Sequence, residues 1–214
     1  MRKTVTQLII AISAAALLWF YMFSPWTQGR PGFWLVMSFS ALVLTGLGLA
    51  FTPDRKAALH FEKPFSQLQS GVFLAFILWG VFWVGDLLSA KLFIFARPQV
   101  DSVYAMKDGF PAWLIAVLLI VLIGPAEEFF WRGYVQRTLS KVLGGKHAQD
   151  FAFLITTAVY ALVHVWSFNF MLVMAALVAG AFWGIIYRFH PKALGALIVS
   201  HALWDVLVFI LMPI

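Results

Sequence analysis

The chain has 214 residues, 63% of them hydrophobic and 11% charged, with a mean hydropathy of +0.91 and a formal net charge of +6. Soluble domains carry roughly 25% charged residues, so this composition excludes a soluble globular enzyme and defines one integral membrane domain, residues 1–214. Cysteine is absent, which removes disulfides, thiol nucleophiles and zinc–thiolate sites, and the Lys and Arg are scattered through connecting segments, which argues for the lipid bilayer and against nucleic acid as a partner.

Apolar runs near the ~20 residues needed to cross a bilayer fall at about 7–23, 33–51, 70–90, 111–131, 151–168, 170–187 and 193–211. The expected fold is all-α and polytopic, with about seven transmembrane helices (six to eight). The first run follows Met-Arg-Lys, as a secretion signal does. Its length, its aromatic end and the missing small-x-small site before Pro25 read as a retained span. Breaks carry the usual punctuation at Ser24-Pro25, Thr52-Pro53-Asp54, Arg97-Pro98, Gly109-Phe110-Pro111, Gly144-Gly145 and His190-Pro191. Lys91 to Arg97, with three aromatics, reads as interfacial rather than spanning. Seven spans with the N-terminus inside place eleven Lys and Arg on the inner side and four (Arg30, Lys91, Arg97, Lys107) on the outer side. The excess of inner cations sets the N-terminus in the cytoplasm. No internal repeat is visible, which weighs against an inverted-repeat transporter.

The fourth run ends in Gly124-Pro125-Ala126-Glu127-Glu128-Phe129-Phe130-Trp131-Arg132. A charge at membrane depth costs at least ~2.5–3.5 kcal/mol, so ionisable residues there are functional candidates. Glu128 and Arg132 stand at i,i+4 and can pair along one helix face. Glu127 lies about 100° around the helix and has no such partner, which leaves one glutamate held and one free to act. His164 stands in the fifth span; His201 and Asp205 share one face of the last, again at i,i+4. Asp86, near the end of the third span, reads as snorkelling; His60, His147 and His190 read as solvated loop residues. Carboxylates, two histidines and an arginine on three helices are suited to activating water: a carboxylate takes its proton and a polar pair stabilises the oxyanion. The same set would also serve a proton-coupled transporter or channel, or persist in a non-catalytic membrane scaffold or immunity protein.

Three short patterns occur in order: Glu127-Glu128-x-x-x-Arg132, Tyr160-x-x-x-His164 and His201-x-x-x-Asp205. Together they resemble the CAAX-protease and bacteriocin-processing (Abi) family of intramembrane proteases. The second pattern has tyrosine where that family usually has phenylalanine, which keeps the ring and adds a hydroxyl. The resemblance covers about 111–211, the expected catalytic core; residues 1–110 match only as generic spans. It implies a helical intramembrane endopeptidase with a water-accessible cavity, acting on a membrane-associated peptide or protein. It also implies Glu127 and His164 as the water-activating pair, His201 and Asp205 as the oxyanion or orienting pair, and Glu128 and Arg132 as holders of helix and substrate backbone. An ionised aspartate cannot donate to an oxyanion, so Asp205 is protonated, orients His201 or binds metal. Glu127, His164, His201 and Asp205 are acceptable zinc ligands, but no His-Glu-x-x-His helix is present, and a mechanism without a cofactor is favoured. Chain size and the resemblance together imply a bacterial inner membrane. His164 lies roughly 20 Å into its span at 1.5 Å per residue, so the fourth helix should run past Arg132, to about Leu143.

Overall fold

The computed structural model describes residues 2–27, 32–53 and 62–214. Arg30, Arg55, Lys56 and His60 lie outside the described residues. Seven helices are long and apolar enough to cross a membrane, and no strand occurs among the described residues. They are α1 (Arg2–Phe23), α2 (Phe33–Phe51), α3 (Pro64–Leu92), α5 (Ala112–Leu143), α6 (Ala148–Ser167), α7 (Phe170–Phe189) and α8 (Pro191–Leu211). A short helix, α4 (Ala96–Tyr104), lies between the third and fourth spans.

The seven spans match the seven apolar runs, with one informative extension. The third begins at Pro64 rather than near residue 70. Ser66, Gln67, Gln69 and Ser70 lower the hydropathy of that first stretch, but a helix satisfies its own backbone whatever the side chains. Pro64 suits the first turn, where its missing N–H costs nothing. The Gln67 amide is used: its Oε1 accepts from the Ala196 N–H at 3.0 Å and so ties α3 to the start of α8.

Helix α5 is the centre of the bundle, packed against α2, α6 and α8. It continues to Leu143, as the depth of His164 requires. Two stretches, 119–123 and 129–136, are wound as π-helix and flank the α-helical Gly124–Glu128. Pro125 cannot donate to the ladder, and a widened turn beside it is one way the chain accommodates the missing bond. The turn to α6 uses Gly144 and Gly145, both at positive φ (60° and 81°), which L side chains resist.

Outer elements brace this centre. Asp86 of α3 pairs with Arg97 of α4, away from the buried carboxylates of α5. Asn169, between α6 and α7, donates to the Gln99 carbonyl at 2.8 Å and to Ser102 Oγ at 3.0 Å, which fastens α4 to that turn. His147 and His190 are exposed, and His147 pairs with Asp150 at 3.2 Å. Helix α3 spans 29 residues, or about 43 Å at 1.5 Å per residue, more than the ~30 Å hydrocarbon layer. It must therefore tilt or reach into the headgroup region.

Helix α3 meets α8 backbone to backbone at Gly71. A methyl there would come within 2.5 Å of Val199 Cβ and 2.7 Å of the Ala196 carbonyl oxygen, whereas Gly80 and Gly85 have nothing within 4 Å. Gly71→Ala is expected to destabilise the fold by about 1–3 kcal/mol through overpacking, read as a lower thermal unfolding midpoint in detergent. Gly80→Ala should leave it unchanged or raise it. Equal midpoints for the two variants would contradict this packing.

Candidate active site

Six ionisable side chains from α5, α6 and α8 meet in the bundle interior. Glu128 is fully buried and Arg132 is 1% exposed; Glu127, His164, His201 and Asp205 are also buried. Arg132 donates to Glu128 Oε1 at 2.7 Å, the i,i+4 pair expected from spacing. His201 Nδ1 meets the same Glu128 oxygen at 2.8 Å, and its Nε2 lies 3.6 Å from Asp205 Oδ2. His201 therefore hydrogen-bonds one carboxylate, on α5, and lies within ion-pair reach of a second, a turn away on its own helix. That geometry favours Asp205 as an orienter of the imidazole over a direct donor.

Arg132 is fixed from several sides. Its second terminal nitrogen donates to the Gly180 carbonyl of α7 at 3.1 Å, and one turn on Gln136 donates to the Gly184 carbonyl at 2.9 Å. These two rungs bind α5 to α7. The guanidinium also lies over the rings of Tyr160 (5.1 Å) and Trp183 (5.4 Å), a cation–π arrangement that suits arginine's weakly hydrated plane. Trp183 in turn stacks on His201, with centroids 4.0 Å apart and planes within 14°. The imidazole has carboxylates at its edges and an indole on its face.

Glu127 is held differently from the sequence expectation. It does have a partner: the Tyr160 hydroxyl of α6 donates to Glu127 Oε2 at 2.9 Å. Helix spacing shows partners on the same helix and hides a bond from a neighbouring one. No other hydrogen bond to Glu127 occurs among the described residues, which leave its remaining oxygen unbonded. The two glutamates thus divide as expected in one respect, since Glu128 carries the charge pair and Glu127 does not.

His164 sits on the 3₁₀ turn that ends α6. Its Nδ1 faces the Tyr160 carbonyl at 2.8 Å, and its Nε2 faces the indole N–H of Trp19 at 3.0 Å. A carbonyl only accepts and an indole N–H only donates, so Nδ1 carries the hydrogen and Nε2 offers its lone pair to Trp19. Both ring nitrogens are occupied. Trp19, from α1, could not be found by motif, because one tryptophan in an apolar span carries no signal. Trp183 and Gly180 were missed for the same reason.

The four candidate zinc ligands do not fit a zinc ion in this arrangement. Zinc would need free lone pairs about 2 Å from one point. The lone pair of His164 is taken by Trp19 and one Glu127 oxygen by Tyr160, whereas His201 keeps its Nε2 because only its Nδ1 is bound, by Glu128. Among the described residues no group of three His, Asp or Glu is placed to hold a metal.

The fold and this cluster define a class: a polytopic membrane protein with a buried carboxylate–histidine site on three helices. A family model described as type II CAAX prenyl endopeptidase, Rce1-like, matches residues 109–207, a stretch that contains all three motifs. That match covers just under half of the chain and supports an assignment to the CAAX-protease family of intramembrane proteases. No curated protein and no solved structure matches it. Trp19 lies outside the matched stretch.

Removing one partner of a buried ion pair leaves the other charge stranded, at ~3–5 kcal/mol. Glu128→Gln is therefore expected to reduce membrane abundance and unfolding temperature by that mechanism. Glu127→Gln should leave both near wild type, because an amide oxygen still accepts from Tyr160. Immunoblots of membranes and thermal unfolding in detergent measure this, and equal losses for both variants would contradict it.

Proposed function

We propose that the chain is an intramembrane endopeptidase that hydrolyses a peptide bond in a membrane-associated peptide or protein. The single observation that carries this reading is the contrast between the two adjacent glutamates. One is consumed in a buried charge cluster, and the other keeps an oxygen that no described residue bonds.

In this reading Glu127 accepts a proton from water as the water oxygen attacks the scissile carbonyl carbon. It then returns that proton to the leaving amine as the C–N bond breaks. His201, oriented by Glu128 and Asp205, supports the oxyanion. Arg132 pairs with Glu128 and fixes α5 against α7. His164 belongs to the same corner as Glu127, since its ring lies one helical turn from Tyr160, with centroids 5.3 Å apart. No step is routed through a metal. In this reading the N-terminus lies inside, supported by the distribution of cations around the spans, and the membrane is a bacterial cytoplasmic one, an assignment supported by chain size and family resemblance. The substrate class that the matched family model's description suggests is a prenylated C-terminal tail.

The test is cleavage of a fluorogenic peptide bearing a farnesylated cysteine three residues from its end, by purified protein in vesicles. Glu127→Gln is expected to abolish cleavage at normal abundance. Trapping with Glu127→Gln in native membranes, followed by peptide identification, covers other membrane peptides. Wild-type rates from Glu127→Gln would sink the assignment.

Asp205 supplies a second expectation. As an orienter of His201 it can be replaced by asparagine, which still accepts a hydrogen bond. Asp205→Asn should keep at least about a tenth of the activity, with or without a strong chelator. An inactive Asp205→Asn restored by excess zinc would overturn the reading, because a lost carboxylate ligand lowers metal affinity.

A further inference from the structure

The structure separates two groups that the motif pattern treats as one water site. His164 has no free acceptor, because its only lone pair faces the Trp19 N–H at 3.0 Å. Tyr160 has spare capacity: its hydroxyl gives its one hydrogen to Glu127, and its oxygen lone pairs accept nothing among the described residues. We infer that Tyr160 is a catalytic residue of this chain, holding the attacking water together with Glu127, and that His164 is a positioning residue clamped by Trp19. This rests on the endopeptidase reading above.

The Tyr160 ring is placed by three neighbours. Gly180 lies under it so closely that a methyl there would come within 2.8 Å of the ring. Trp131 meets it edge to face at 5.3 Å, and the Arg132 guanidinium lies 5.1 Å from its centroid. On its own helix the backbone carbonyl of Tyr160 is bound by His164, so the clamp from Trp19 reaches Tyr160 through that imidazole. A ring fixed on this many sides points its hydroxyl at one place, and that place is Glu127.

The step balances without a further reactant. One water hydrogen passes to the unbonded oxygen of Glu127, while the other is held by the Tyr160 oxygen. The water oxygen forms its bond to the carbonyl carbon, and the carbonyl π pair moves to the oxygen. Tyr160 keeps its own hydrogen on Glu127 Oε2 throughout, which directs the other oxygen at the water. Collapse breaks the C–N bond, with the proton on Glu127 going to the amine.

The experiment uses the full chain in vesicles and the farnesylated peptide. Tyr160→Phe keeps the ring and removes only the hydroxyl. It is expected to lower kcat about 10–100-fold, at or below the ~10²-fold lower end for a group that itself transfers a proton, with KM within twofold and normal abundance. Trp19→Phe frees the His164 lone pair and loosens the clamp, and should lower kcat as well. A kcat for Tyr160→Phe within twofold of wild type would overturn the proposal. So would a rise in kcat for Trp19→Phe, which would mean that His164 holds the water and Trp19 obstructs it. Glu127→Gln is run in parallel. If it is inactive while Tyr160→Phe is unaffected, only this inference falls; if it is active, the endopeptidase reading falls and takes this one with it.

Discussion

A single carboxylate oxygen, Glu128 Oε1, receives both Arg132 and His201, and the rest of the site depends on that junction. It joins α5 to α8 directly and, through Arg132, α5 to α7 at the Gly180 carbonyl. Buried ion pairs are poor stabilisers, because desolvation offsets much of their attraction, and an apolar replacement is often as stable. Here Glu128 Oε2 and Arg132 Nε even lack hydrogen-bond partners among the described residues. Such an arrangement makes more sense as a means of placing an imidazole than as a source of stability.

The adjacency of the two glutamates follows from the same constraint. Consecutive residues on a helix diverge by about 100°, so one carboxylate can enter the charge junction while its neighbour turns toward α6. The flanking π-helical turns and Pro125 shape α5 where this divergence occurs. Glu127 is then positioned from outside its own helix by Tyr160, and Tyr160 by Gly180, Trp131 and Arg132. Charge placement and ring packing are parts of one arrangement.

Much of the architecture was legible in the sequence, because a bilayer allows few ways to satisfy a backbone. The seven runs became seven spans, and the long fourth helix followed from the depth of His164. The Glu128–Arg132 and His201–Asp205 proximities were legible because both rest on i,i+4 spacing within one helix. Contacts between helices were not. Nothing in the spacing of Glu127 reveals Tyr160, and nothing in α1 reveals that Trp19 occupies the His164 lone pair. The tyrosine was visible as a departure inside a motif, but its hydroxyl acquired a role only when α6 was seen against α5. The polar start of α3 was missed for a different reason: hydropathy marks what lipid tolerates, and a helix does not stop where hydropathy falls.

The most direct measurement of the central claim, that Glu127 takes a proton from water and is not itself the nucleophile, is isotopic. A single turnover of the farnesylated peptide in ¹⁸O-labelled water is followed by mass spectrometry of the product and of the Glu127 peptide. The account requires one labelled oxygen in the new carboxyl terminus and none in Glu127. Label in the Glu127 carboxyl, with an unlabelled product, would show a covalent anhydride and contradict it.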